Sequence, residues 1–291
     1  MSVDVVIVTH QSRSHLAACL GGLPAELHPV VVDNASSDGS PDLAGELGAQ
    51  VLRNDRNLGF AAAANQGARR GTAARILFLN PDARLEDADL RRLVAALDNP
   101  ATAVVGPRLL HPDGGEQRAW WPFPSPWATW VEACGWHLLW PPRLGRHGEA
   151  PFVVGACLLV RRDVFEVLGG FDERFWLYGE EADLCRRVWQ AGWRVRHVPS
   201  AVARHVGGAS GEGQRELTFE QFQLGTERFI AKHHGRAGLL LHRLGLCFGS
   251  LLRFVVLLAR PRDPRLEVRA RVLRRLGGRL VTAPLRPERA R

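Results

Sequence analysis

Residues 3–9 read VDVVIVT and residues 29–33 read PVVVD. Each is a continuous apolar run rich in β-branched side chains, as in strands buried on both faces of a parallel sheet. Between and after them the pattern alternates. Ser12–Leu20 has helical spacing, and Asn34–Ser40 (NASSDGS) is a string of turn formers. Pro41–Leu47 reads as a helix, Ala49–Arg53 as a short strand and Phe60–Arg70 as a helix of small residues. Arg75–Leu79 (RILFL) is a further strand closing on Asn80-Pro81-Asp82. It is followed by helical Leu85–Leu97 and by a strand led by Ala103–Val105. Phe152–Val160 and Arg194–Val198 supply two more. Strand–helix alternation of this kind predicts an α/β fold: a Rossmann-like, mainly parallel central sheet with helices on both faces. Such sheets bind ligands beyond the carboxyl ends of their strands, where Thr9, Asp33 and Asp82 fall. A dinucleotide site is excluded at the first turn, because Thr9-His10-Gln11-Ser12-Arg13-Ser14 has no glycine to admit a pyrophosphate.

The second informative stretch is Gly169–Arg187, GGFDERFWLYGEEADLCRR. After Gly179, Leu184, Val188 and Ala191 recur at helical spacing and Gly192 supplies a stop. Glu180, Glu181 and Asp183 then occupy the first helical turn, where the helix dipole favours negative charge. Capping alone would explain one such carboxylate. Acids crowded beside Trp176 and Tyr178 point further, to a group poised to take a proton.

The 291 residues, 46% hydrophobic and 23% charged, suffice for one large α/β domain with an appendage. No apolar run opens the sequence, so no secretory signal is expected. The five cysteines, Cys19, Cys134, Cys157, Cys185 and Cys247, lack metal-ligand spacing and read as reduced, mostly buried thiols of a cytoplasmic protein. From Arg260 onward, 11 arginines face three acids, so the whole formal charge of +8 lies in that segment. The body is therefore no general polyanion binder, and no nucleic-acid partner is expected.

Residues 111–150 are rich in proline and hold six of the nine tryptophans: Trp120, Trp121, Trp127, Trp130, Trp136 and Trp140. The prolines and glycines argue against a regular packed element there, and the aromatics suggest stacking on sugars or a place at a lipid interface. Leu239–Ala259 is long enough to span a bilayer but carries His242, Arg243 and Arg253. An amphipathic helix lying in the membrane plane, with Leu240, Leu244, Phe248 and Leu251 on one side, fits better, and packing on the sheet domain is the alternative. Residues 237–291 would then meet an anionic membrane surface, placing the protein peripherally on the cytoplasmic face of the inner membrane.

Six pieces, VVIVTHQS, VVVDNASSDGS, RNLGFAAAANQGARR, ILFLNPDA, FVVGACLLVRRDVFEVLGGFDERFWLYGEEADLCRR and RHVGGAS, occur in this order over residues 3–235. Together they resemble the inverting glycosyltransferases of family 2, with the GT-A fold, in the bacterial rhamnosyltransferase-like branch. The resemblance implies a GT-A domain over 1–235, with 111–150 as an acceptor- or membrane-facing insertion and 236–291 as a C-terminal apolar, amphipathic helical segment with an arginine-rich tail. It implies Thr9, Asp33, Asn57, Asn65, Asn80 and Glu180 as donor-binding residues. Asp82, the last acid of a degenerate DxD motif, and His205 would be ligands of Mn²⁺ or Mg²⁺. Glu181 takes the position of the catalytic base, usually Asp in the family, with Asp183 as the alternative; Asp172, Trp176 and Asp183 would meet the acceptor. The implied donor is dTDP-rhamnose or a UDP-sugar, and the implied acceptor a glycan or polyprenyl-linked saccharide of cell-wall or surface-polysaccharide synthesis. Two other functions share the fold: a non-catalytic saccharide-binding protein at the membrane surface, and a sugar nucleotidyltransferase. The latter lacks its glycine-rich basic loop after the first strand.

Overall fold

A computed structural model describes residues 2–135, 143–207 and 215–258. Trp136, Trp140, Gly208–Ser210 and residues 259–291, with the arginine-rich tail, lie outside the described residues. The chain divides into two units, the first Met1–Phe123 with Leu144–Phe222 and the second Pro124–Arg143 with Gln223–Arg289. The division falls at residue 222, not at the expected 235, and it assigns residues 124–143, the middle of the tryptophan-rich region, to the second unit.

The first unit is built on a nine-stranded sheet. Its strands are β1 (Val3–Thr9), β2 (Val30–Asn34), β3 (Gln50–Asn54), β4 (Arg75–Leu79), β5 (Ala83–Leu85), β6 (Thr102–Leu110), β7 (Glu116–Gln117), β10 (Cys157–Arg161) and β11 (Arg194–His205). The order is β3-β2-β1-β4-β10-β6-β11-β5, with β7 pairing β6. β1 to β4 are parallel, and β6 and β11 are parallel to each other. β10 runs antiparallel between β4 and β6, and β5 antiparallel to β11. Most of the sheet thus shares one strand direction, as the apolar runs predict. The expected strand 152–160 divides into β9 (Phe152–Val153), which pairs with β8 (Trp120–Trp121), and β10. Helices cover both faces. α1 (Arg13–Leu20), α2 (Ser40–Glu46) and α4 (Asp87–Ala96) send Leu16, Ala44, Leu90 and Leu93 onto Val5, Ile7, Val31, Leu77 and Leu79. α3 (Phe60–Ala68) packs Ala63 on Val30 and Val32 from the other side, and the short α6 (Arg162–Val167) follows β10. Each fully buried Leu, Ile or Val is worth about 1.5–3 kcal/mol of hydrophobic stabilisation, so these layers fix the level of the strand ends.

In the second unit the expectation of irregular structure is overturned locally. α5 (Pro126–Ala133) is a regular helix, begun by Ser125, whose hydroxyl accepts the N–H of Ala128, and by Pro126 in the first turn. A serine cap followed by proline is a favourable start, because the proline lacks an N–H that would go unpaired there. α8 (Arg215–Leu258) breaks at Gly235, whose φ of 69° leaves the helical region. Glu227 and Arg243, eight residues either side of that glycine, form a buried ion pair at 2.7 Å. Sixteen residues span about 24 Å of straight helix, so the contact requires the chain to fold back on itself. The stretch apolar enough to cross a membrane is therefore a helical hairpin. His242 Nδ1 meets Thr129 Oγ1 at 2.6 Å, and burial lowers the His242 pKa to about 4, so the imidazole is neutral at neutral pH.

Candidate functional site

The strand ends gather the site. At the end of β1, Thr9 Oγ1 donates to Asp33 Oδ1 (2.9 Å), and Asp33 Oδ2 accepts the N–H of Ser36 (2.9 Å). Asp33 is buried, 2% exposed, so the carboxylate both caps its turn and holds a fixed position. Next to it Asn34, which the sequence reading passed over, is equally buried. Its amide donates to Gly59 O (3.1 Å) and its carbonyl accepts from Asn54 Nδ2 (2.9 Å). Asn57 closes the same loop by accepting the Gly59 N–H at 2.9 Å. Gly59 (φ 85°) has no room for a side chain, because the Trp176 carbonyl and indole lie against it. The Phe60 N–H donates to that carbonyl at 2.7 Å. Trp176 thus fastens the acid-bearing loop to the start of α3.

Asp82 follows β4, with Asn80 anchored by its N–H to Ala156 O (2.9 Å). Asp82 Oδ1 lies 3.3 Å from His205 Nε2 at the end of β11. Burial would raise the Asp82 carboxyl, but the His205 hydrogen bond and charge hold it below the usual carboxylate range. Gln117 of β7 sets the imidazole: its Oε1 lies 2.9 Å from His205 Nδ1, and its Nε2 donates to the His205 carbonyl. With the amide so oriented, His205 Nδ1–H is the donor to Gln117. With a proton on Nε2 the ring donates to the carboxylate oxygen at 3.3 Å; without one it presents a lone pair to that oxygen. Two acceptors so placed need a second ring proton or a cation between them. The spacing also matches adjacent ligands on an octahedral ion with bonds near 2.1 Å, which are about 3 Å apart. The donor set therefore fits a divalent cation. Among the described residues no cluster of three His, Cys, Asp or Glu exists.

α7 (Glu180–Gln190) brings its acidic turn to the same place. Gly179, at φ 95°, opens it, and Tyr178 before it holds φ 67°, a left-handed conformation uncommon for a bulky residue. Glu181 is half-buried. Its Oε2 accepts the Gly179 N–H at 3.2 Å, and its stem lies 3.7 Å from where a side chain on Gly155 would begin. Burial raises its pKa, partly offset by backbone N–H groups of Gly179, Gly155 and Ala182. Glu180 is buried with Oε2 unpartnered, and burial, then the Glu181 charge, push its pKa well up. Burial and the charges of Glu180, Glu181 and Asp82 likewise raise Tyr178, which places all four side chains within electrostatic reach.

Three of the expected site residues are occupied elsewhere. Asp183 is fully buried and pairs with Arg187 at 2.9 Å, while Arg187 also donates to Leu168 O and Gly170 O. The carboxylate is turned into the protein. Asn65 spends its amide on Phe171 N–H and C=O, both at 2.9 Å, and so clamps the GGF loop where a donor contact was expected. Asp172 makes a two-oxygen pair with Arg174 and orders its own loop.

This sheet, with one carboxylate edge built from Thr9, Asp33, Asp82 and the start of α7, is a GT-A fold. The chain belongs to glycosyl transferase family 2, whose model matches residues 4–169; a second model, the N-terminal domain of galactosyltransferase, matches 142–207. It is 32% identical over 237 residues to the N-acetylglucosaminyl-diphospho-decaprenol L-rhamnosyltransferase of Mycobacterium tuberculosis, covering 70% of this chain and 75% of that one. It is 24% identical over 190 residues to the low-salt glycan biosynthesis hexosyltransferase Agl10 of Haloferax volcanii, covering 64% and 61%. Among solved structures, the mannosyltransferase PcManGT of Pyrobaculum calidifontis, in complex with GDP-Man and Mn²⁺, superposes with a TM-score of 0.61. That match has 18% identity and covers 98% of this chain and 81% of that one. TarS of S. aureus with UDP-GlcNAc gives 0.52 at 13% identity, over 86% and 81%.

Proposed function

We propose that this glycosyltransferase moves a sugar, L-rhamnose first among the candidates, from a nucleotide-diphosphate donor to a polyprenyl-linked glycan in cell-wall or surface-polysaccharide synthesis, inverting the anomeric carbon. The rhamnosyltransferase relative, named for a decaprenol-linked acceptor, supports the substrate class. The observation that carries the chemistry is the Asp82–His205 pair beside the Glu180–Glu181 turn. Asp33 and Thr9 accept hydrogen bonds from the nucleotide base and ribose in this reading, which their burial at the strand ends supports. Asp82 and His205 would hold a divalent cation, Mn²⁺ or Mg²⁺, which when bound neutralises charge on the departing diphosphate. Glu181, oriented by Gly179 and lifted by burial, takes the proton of the acceptor hydroxyl. Glu180 faces the donor sugar.

The exposed apolar side chains of the second unit support a peripheral place on the membrane that carries such an acceptor. The test is transfer from dTDP-rhamnose or UDP-sugars to a polyprenyl-diphosphate-linked N-acetylglucosamine. Activity should vanish with excess EDTA and return with Mn²⁺ or Mg²⁺. Full activity in chelator would remove the cation from the reaction. No transfer from any donor would overturn the proposal itself.

A further inference from the structure

β5 and β11 pair antiparallel with Arg84 directly opposite Arg204. Like charges facing across strands destabilise a sheet. Among the described residues the Arg204 guanidinium has no hydrogen-bond or ion-pair partner, and Arg84 reaches Glu86 only at 3.4 Å. A third guanidinium comes from Arg108 on β6, level with Val202 of β11. Its Nε is buried without a hydrogen-bond partner, and its ion pair with Glu116 is loose, 3.6 Å. Such exposed pairs contribute little to stability and exchange readily for a better anion.

These three arginines line a concave pocket of about 400 Å³. Its wall is shaped by a bulge in β11. Val198 pairs with Pro107 and Val202 with Arg108, so residues 199–201 are extra, and Ser200 lines the pocket. α4 closes one side with Arg92 and Asp89. Asp89 is already committed, to Arg92 at 2.6 Å and to the Val202 N–H at 3.0 Å. Four arginines therefore face two acids, Glu86 and Asp89, in one concavity. Side chains alternate along a strand, so Arg204 lies on the opposite face of β11 from the adjacent His205. The pocket is not the donor site.

We propose that it is a second anion site, which binds the phosphate or diphosphate group of a small soluble molecule. Converging guanidinium forks match the several oxygens of phosphate, and the bound anion would relieve the Arg84–Arg204 repulsion. The test is calorimetric titration of the full-length protein with inorganic pyrophosphate in EDTA. Binding should weaken at least tenfold in Arg84→Gln and in Arg204→Gln and be unchanged in Asp82→Asn. Without pyrophosphate, Arg204→Gln should melt no lower than the wild type, because it removes one of two facing cations. Three results would overturn the proposal: no binding, binding indifferent to both arginines, or binding lost in Asp82→Asn. A fourth would assign the arginines to a lipid headgroup and overturn it too: Arg204→Gln lowering binding to phosphatidic-acid vesicles while pyrophosphate binding stays intact.

Discussion

Glu181 and Glu180 are neighbours in sequence with different environments, and the difference sets separate expectations. Glu181→Gln keeps the shape and the hydrogen bond from Gly179 but cannot take a proton. Turnover should fall about 10²-fold or more while donor affinity stays near wild type, as read by steady-state kinetics and donor titration. Because burial lifts the Glu181 pKa, the acid limb of kcat against pH should lie above the ordinary glutamate value near 4.3. Glu180 has its effect on stability. Its folded pKa is raised well above the usual value, so the folded state holds the proton more tightly than the unfolded chain. That stabilisation is complete below the unfolded value, near 4.3, and is lost as pH rises through the raised folded value. Glu180→Gln should therefore melt above the wild type at neutral pH and show a flatter dependence of Tm on pH. A lower Tm at neutral pH would contradict the buried, unpartnered reading of its Oε2.

At the scale of elements, α7 is tied down by a pair that the sequence reading placed at the acceptor. Asp183 is 0% exposed, and Arg187 joins it to the carbonyls of Leu168 and Gly170. Arg187→Met would remove the guanidinium paired with a buried carboxylate and should lower Tm; breaking one side of a buried ion pair typically costs about 3–5 kcal/mol. Asp183→Asn should lower Tm yet leave kcat of the folded enzyme within severalfold, which a thermal melt and kinetics below the transition will read. A loss of kcat as deep as that of Glu181→Gln would make Asp183 the base. The parallel strands and their acidic ends were legible because burial on both faces writes an unbroken apolar run. Antiparallel β10, the pairing of β8 with β9, and the part of Gln117 in aiming His205 were not. They depend on partners tens of residues away, with no local pattern to announce them. α5 did carry a local signal, Ser125-Pro126, hidden by the surrounding prolines and tryptophans.

Over the whole molecule, what faces solvent in the second unit matters most. Leu240 (52%), Leu244 (44%), Leu251 (54%) and Val255 (55%) are exposed. At about 100° per residue they fall within one narrow arc of the helix, beside Phe248. Of the polar residues that argued against a bilayer span, His242 and Arg243 are buried within the unit, where Thr129 and Glu227 meet them, while Arg253 is exposed and donates to the Glu132 carbonyl. An apolar stripe with Arg243 turned inward and Arg253 off the stripe suits the shallow, in-plane burial of an interfacial helix. Replacing Leu240, Leu251 and Val255 together by Gln should abolish sedimentation with anionic vesicles and leave Tm nearly unchanged, since exposed side chains carry little of the fold. Persistent vesicle binding in that variant would move the membrane contact elsewhere.

Tyr178 is the sole tyrosine in 291 residues. Its ring packs edge-on to Phe222, with centroids 6.1 Å apart, within reach of Asp82, Glu180 and Glu181. A chain grown with 3-fluorotyrosine would thus carry one fluorine environment, already located where donor, cation and acceptor would converge. A single ¹⁹F resonance could then follow each ligand as it arrives, with no engineered label and no second signal to subtract.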